Sequence, residues 1–435
     1  MRLKVPGALA SAVAALALGA STLAEVALYA RATLATPDRA AWDAALPAHI
    51  VRNGHVWPLW MSCALLAIGA LQAALLFSLG TARAGRNARP LVAITLCVAA
   101  CVAVTALRAP YLTSNDVYAY IGYAKLQSST DAYAPPNAPL PAGFRVINEI
   151  WQRPLIPAAY GPLDLAIYRL ALHRQTTLSG ALFAARCVGL AGIIALAALT
   201  FALTRRVAFV PLVLLNPGLY QHSVIDAHND IIAVDAVVLA TLVAARSPLA
   251  GAIVAALSGA VKVNFALVGP ALAGSGLRAR GRVTILAGGA AGALLLSALA
   301  GGQPYVHALG TVARAYAPQH GSIGGIVGSV THGGLALFGL AALALTVAGG
   351  PAPWSFAWSL CGLAAAVYPG YLIWGLPYAL RDVDGARLFL AILPLPSLTF
   401  DFVFPGSGDL TRVVFLSYMA YEAAHLLRDR VRRPS

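Results

Sequence analysis

The chain of 435 residues is 59% hydrophobic, only 11% of it is Asp, Glu, Lys or Arg, and its formal net charge is +14. A soluble domain carries about 25% charged residues, so a soluble multidomain protein is excluded, and apolar runs of about 20 residues read as membrane spans. The positive charge gathers at the ends of those runs and not on an aromatic-studded soluble face, which excludes a nucleic-acid-binding domain.

In chain order, the runs 8–24, 56–80, 91–107, 178–203, 231–245, 283–300, 334–349 and 410–427 are predicted spans. Arg2 and Lys4 followed by an apolar run could pass for a leader peptide, but a retained first span is favoured. Arginine clusters mark the cytoplasmic turns: Arg83, Arg86 and Arg89; Arg205 and Arg206; Arg278, Arg280 and Arg282; Arg428, Arg430, Arg432 and Arg433. Loops 33–55, 109–177 and 302–333 then lie outside, and a further span, 207–221, opens outward near His222.

Two segments break the charge rule if they cross once. Residues 248–273 are interrupted by Lys262 and Asn264, and residues 354–380 contain Tyr368-Pro369-Gly370-Tyr371. Each is predicted as a hairpin of short helices, because irregular backbone at membrane depth must be buried in protein or line a wet cavity. The fold class expected is all-α: one polytopic bundle of about 12–14 hydrophobic segments, some broken or re-entrant, with short helices in the outer loops. It is read as one module, 1–435, with both termini cytoplasmic and no soluble C-terminal domain. All five cysteines lie in apolar stretches, and neither a disulfide framework nor a zinc site is read from them.

The polar chemistry sits in the loops. Ser114 or Asn115 can cap a short helix, placing Asp116, Tyr120 and Tyr123 on one face at i, i+4 and i+7. A carboxylate there suits a general base within reach of a hydroxyl; the alternative is an acid that only caps a helix, beside interfacial tyrosines. Further on come Tyr133, Trp151 and Tyr160-Gly161-Pro162-Leu163, rings that either stack on sugars or anchor the interface.

A second constellation is Asn216-Pro217, His222 and Asp226-Ala227-His228-Asn229-Asp230. If helical throughout, it puts His222, Asp226 and Asp230 on one face. His and Asp are common metal ligands, so a metal site is one reading and helix capping the other; no divalent metal is established. Lys262, an ammonium inside an apolar run, calls for an anionic partner, either a lipid phosphate or an acid such as Asp235 or Glu25. Arg314 and His320 precede a glycine-rich run without the Gly-Lys-Ser/Thr of a P-loop, and a guanidinium suits phosphate oxygens.

Ser114-Asn115-Asp116-Val117-Tyr118-Ala119-Tyr120, Ala132-Tyr133, Tyr160-Gly161-Pro162-Leu163, Leu215-Asn216-Pro217, His228-Asn229-Asp230, Val261-Lys262 and Tyr368-Pro369-Gly370-Tyr371-Leu372-Ile373-Trp374 occur in that order. Over residues 105–380 this resembles the GT-C superfamily of membrane glycosyltransferases, above all the bacterial polyprenyl-phosphate-mannose-dependent mannosyltransferases of the cell envelope. The resemblance implies inverting transfer of a hexose, mannose in those enzymes, from a polyprenyl-phosphate donor to an envelope lipid or glycan acceptor. It implies Asp116 as catalytic base. It carries the family's His-Asn-Asp motif onto His228, Asn229 and Asp230 and its lysine onto Lys262; with Asn115, Tyr120, Tyr160, Arg314, His320 and Tyr371 these are the candidate donor- or acceptor-binding residues. Ala- and Arg-rich usage suggests a bacterium, so an inner membrane with the site facing the periplasm is expected. The chain departs from the family where an acidic pair becomes Asn115-Asp116 and a Pro-Trp-Tyr becomes Pro369-Gly370-Tyr371. The rival readings are a transporter or lipid-linked-sugar flippase, which also needs broken helices and buried charge, and a non-catalytic envelope subunit.

Overall fold

The computed structural model describes residues 7–34, 45–51, 58–81, 89–151, 153–273, 278–316, 373–380 and 383–394. Its helices run in chain order as α1 (Gly7–Leu34), α2 (Leu59–Thr81), α3 (Arg89–Leu107), α4 (Asp116–Ala124), α5 (Ile147–Trp151), α6 (Pro162–Leu172) and α7 (Leu178–Thr204). There follow α8 (Phe209–Leu214), α9 (Pro217–Leu219), α10 (Asp230–Ala244), α11 (Pro248–Val261), α12 (Val268–Ala273), α13 (Ala279–Leu299), α14 (Gln303–Tyr316), α15 (Leu376–Ala379) and α16 (Val383–Ile392). The strands among the described residues are one parallel pair, β1 (His49–Ile50) and β2 (Tyr111–Leu112), in register His49 to Tyr111.

The protein is an all-α polytopic membrane protein. Five of these helices are long and apolar enough to cross a bilayer: Leu9–Thr33, Leu59–Gly80, Pro90–Leu107, Leu178–Thr204 and Ala279–Leu299. On α13, Leu294 and Leu299 are 74% and 67% exposed, which is the surface a lipid-facing helix presents. The predicted spans 334–349 and 410–427 and most of the hairpin 354–380 lie outside the described residues.

Two compact units divide the chain. The first holds Met1–Val117, Thr177–Ile231 and Ala379–Val414. In it α1 packs on α2 and α3, and α16 packs on α2 and α8. Thr177 caps α7 by accepting the Gly180 N–H, and α7 ends on Arg205 in the left-handed region. Gly189 of α7 is where a side chain cannot stand, since a Cβ would strike the Ser223 carbonyl. That contact lets residues 220–225 lie directly on α7.

The predicted continuous span 207–221 is corrected by the structure. α8 stops at Leu214 because Asn216 begins a new turn, its side chain capping Gly218 and Leu219 with Pro217 at the first helical position. The chain then widens into a π-turn over Tyr220–Ile225.

The second unit holds Tyr118–Thr176, Ile232–Tyr378 and Phe415–Ser435. Here the loop predicted over 109–177 carries short helices, as expected. α11 and α12 pack on α13, and α6 packs on α11. Ser247 caps α11 with Pro248 at its first position. The expected break is present at Lys262, where φ −146° and ψ 121° end α11 in extended backbone. Tyr160 and Lys262 form an antiparallel bridge, and the Gly161 N–H donates to the Val261 carbonyl at 2.9 Å. A Cβ at Gly161 would collide with the Ala260 carbonyl, so only glycine lets the α6 entry clasp the α11 break.

Candidate active site

In the first unit, β2 delivers Thr113-Ser114-Asn115 to the start of α4, whose first residue is Asp116. Ser114 Oγ accepts the Asp116 N–H at 3.3 Å, the local turn expected of a serine two residues upstream. Asp116 is 34% exposed, the most open of the carboxylates gathered here.

The segment is held from behind by Asp226. Its Oδ1 accepts the Thr113 N–H at 2.6 Å; its Oδ2 accepts the Thr113 hydroxyl at 2.5 Å and Gln221 Nε2 at 3.0 Å. Tyr111 closes this network by donating its hydroxyl to Gln221 Oε1 at 2.9 Å. Burial pushes the Asp226 carboxyl up, and His228 together with the Thr113 and Gln221 hydrogen bonds pulls it back.

Arg186, in the first third of α7, is buried and fans out to four carbonyls. They are Leu107 at 3.1 Å, Ala109 at 2.8 Å, Tyr111 at 3.1 Å and Ile225 at 3.0 Å. A guanidinium with its donors in a fixed fork is the side chain that can do this. Arg186 thus staples the chain leading into Asp116 to the turn that carries the histidines.

That turn corrects the reading of His222, Asp226 and Asp230 as one helix face. The π-turn ends at Asp226, Ala227 takes φ 52°, and the His228 N–H donates to the His222 carbonyl at 3.1 Å. The reversal sends Asp226 to the Thr113 backbone and stacks the His222 and His228 rings, 4.3 Å apart and 11° from parallel. His222 Nε2 lies 3.1 Å from Asp230 Oδ2, and His228 Nδ1 lies 3.6 Å from Asp116 Oδ2, an ion-pair distance and not a hydrogen bond. Asp230 and Asn229 are fully buried. Burial pushes the His228 imidazolium down, the His222 ring pushes the same way, and Asp116, Asp230 and Asp226 oppose both.

In the second unit, Tyr120 is buried with its ring edge-on to Tyr160 at 4.8 Å and tilted on Tyr168 at 5.2 Å. Lys262 Nζ stands 5.1 Å over the Trp374 ring, which Phe265 meets edge-on. Beside this break, α6, α11, α13 and α14 line an open-sided cavity of about 310 Å³. Its walls are apolar and lined with small residues, including Pro162, Ala256, Gly259, Val263 and Gly289, with Tyr305 at one side.

Of the residues singled out from the sequence, Asp116, His228 and Asp230 come together with His222. Asn229 is held between two members of that cluster. Tyr160 meets both Tyr120 and Lys262. Asn115 directly precedes α4. Arg314 falls in α14, while His320 and Tyr371 lie outside the described residues. Glu25, considered as a partner for Lys262, accepts Gln72 Nε2 at 2.8 Å. The sequence reading passed over Thr113, Gln221 and Arg186. Arg186 had a signal, a guanidinium within the apolar run 178–203, where a charge is costly without a task. Thr113 and Gln221 had none, since a hydroxyl and an amide at a span's end are ordinary.

Searches of curated proteins and of solved structures find no match to this chain. The family model described as alpha-(1->6)-mannopyranosyltransferase, N-terminal domain, matches residues 15–277. That stretch is more than half of the 435 residues. It holds Asp116, Arg186, the two histidines, Asp230 and Lys262. The chain therefore belongs to the alpha-(1->6)-mannopyranosyltransferase, N-terminal domain family, and it is a membrane-embedded mannosyltransferase.

Proposed function

We propose that this chain transfers mannose from a polyprenyl-phosphate donor to a hydroxyl of an envelope lipid or glycan, with Asp116 as the general base. The observation that carries the reading is the Asp116 carboxylate. It is presented at the head of α4 with His228 Nδ1 3.6 Å behind it and its backbone anchored through Asp226 and Arg186. Asp116 takes the proton of the acceptor hydroxyl as that oxygen attacks the anomeric carbon. The bond from that carbon to the phosphate oxygen breaks, and polyprenyl phosphate leaves from the opposite face. An α-linked product formed with inversion requires a β-linked donor.

A lipid-linked donor is supported by the second unit, where an apolar cavity adjoins the Lys262 break. An isoprenoid chain suits such walls, and an ammonium suits the charge that develops on the departing phosphate. Arg314 is a second cation for that phosphate. The arginine clusters at the span ends support an orientation with both termini in the cytoplasm and the reacting groups on the opposite face; the Ala- and Arg-rich composition supports a bacterial inner membrane as the setting, that face being periplasmic.

The test is a transfer assay on the purified chain in lipid, with radiolabelled polyprenyl-phosphate sugars, an envelope lipid extract and Asp116→Asn beside the wild type. Label appearing in a new product with wild type and lost with the variant is expected. Full activity of a correctly inserted Asp116→Asn protein would remove Asp116 as base. Movement of labelled donor across vesicles without any new glycosidic bond would favour a flippase.

A further inference from the structure

We propose that His222, His228 and Asp230 bind a divalent transition-metal ion of the zinc class. One ring nitrogen from each histidine and one carboxylate oxygen form a set whose atoms all lie within 4.8 Å of one another. A zinc–nitrogen bond is about 2.1 Å, so a tetrahedral ion holds its ligand atoms about 3.4 Å apart. His222 Nε2 and Asp230 Oδ2 already stand 3.1 Å apart, and the widest pair has to close by up to about 1.4 Å, a movement of side-chain rotation. Two imidazoles and one carboxylate are the donor mixture that favours a transition metal over magnesium or calcium, which take oxygen. Three protein ligands also leave a coordination position open.

The charge of the cluster fits. Asp230 and Asp116 flank the stacked imidazoles, and a doubly charged cation neutralises both carboxylates at once. The backbone fits as well. Ala227, a residue with a Cβ, is held at φ 52° between the histidines, and a π-turn precedes it. Both are uncommon, and both concentrate where side chains are aimed at a ligand. The result is that His228 is folded back over His222, a ring-on-ring arrangement that a regular helix would not make.

A third observation is Asn229, between two of the three ligands. It is wholly buried, and neither its Oδ1 nor its Nδ2 has a hydrogen-bond partner among the described residues. Buried amides are nearly always satisfied, so the Asn229 amide leaves polar capacity unmet next to the ligand set.

This inference does not rest on the transfer reading, because metal binding is read without donor or acceptor. The full chain would be purified through a histidine-free tag into nanodiscs, stripped with chelator, and titrated with Zn2+ against a chromophoric competitor. One Zn2+ per chain is expected, with affinity about 100-fold lower in His222→Gln and His228→Gln. His307→Ala, an exposed histidine elsewhere in the chain, should bind as wild type does. No saturable binding by folded wild type, or equal binding by both site variants, overturns the proposal. Should the variants fail to fold, Co2+ bound to wild type is examined by X-ray absorption. Imidazole scattering is expected, and an all-oxygen shell overturns the proposal.

Discussion

The two units hold their functional groups in opposite ways. In the first, the backbone leading into Asp116 is tied down by hydrogen bonds: Arg186 takes four carbonyls, Asp226 four donors, and Gln221 joins Asp226 to Tyr111. In the second, the cavity beside Lys262 is apolar, and its shape comes from glycine and alanine facing each other on α11 and α13. One region is stiffened by directional bonds and suits a reaction that depends on atomic placement. The other is shaped by the absence of side chains and suits a long apolar ligand that slides as much as it docks. Substitutions should therefore act on turnover in the first and on donor affinity in the second.

The largest effect is expected at Asp116. Asp116→Asn should lower kcat by about 10³-fold, the scale of a lost general base, with the thermal midpoint unchanged. Next is Asp226→Asn, which keeps the shape but weakens the hold on Thr113. A drop of about tenfold to 100-fold in kcat with little change in KM is expected, since slight misplacement of a base is enough. If kcat stays and only stability falls, Asp226 is structural and the contrast between the units weakens.

Lys262→Gln should raise the donor KM by about tenfold, the cost of one lost charge-assisted hydrogen bond, and leave acceptor KM alone. The smallest effect is expected from filling the cavity. Ala256→Leu should raise KM by about fivefold for a full-length polyprenyl donor and not for a short-chain analogue. Equal effects on both donors would show that the cavity does not hold the tail.

These contrasts bear on how much was legible in advance. The spans at 8–24, 91–107 and 178–203 could be read because a helix in lipid must be apolar along most of its length, so composition alone marks it. The break at Lys262 could also be read, because a lysine and an asparagine interrupt an apolar run there. Asp116 stood out for a similar reason: a carboxylate just past a span's end, in a run of tyrosines, is an uncommon local pattern.

The sequence by itself thus determined the all-helical class, the break in 248–273 and the candidates Asp116, His228 and Asp230. Only the tertiary structure decided which of those candidates stand together and what holds them there. Whether Asp226 joined the histidines or turned away depended on Ala227 entering the left-handed region, a backbone choice that an alanine does not announce. The role of Arg186 depended on four carbonyls brought to it from residues 107–111 and 225, more than 35 positions away along the chain in the nearest case. Local pattern records how a segment meets lipid or water. Long-range hydrogen bonds between segments leave no such periodic mark, because each partner type is common and only their meeting is specific.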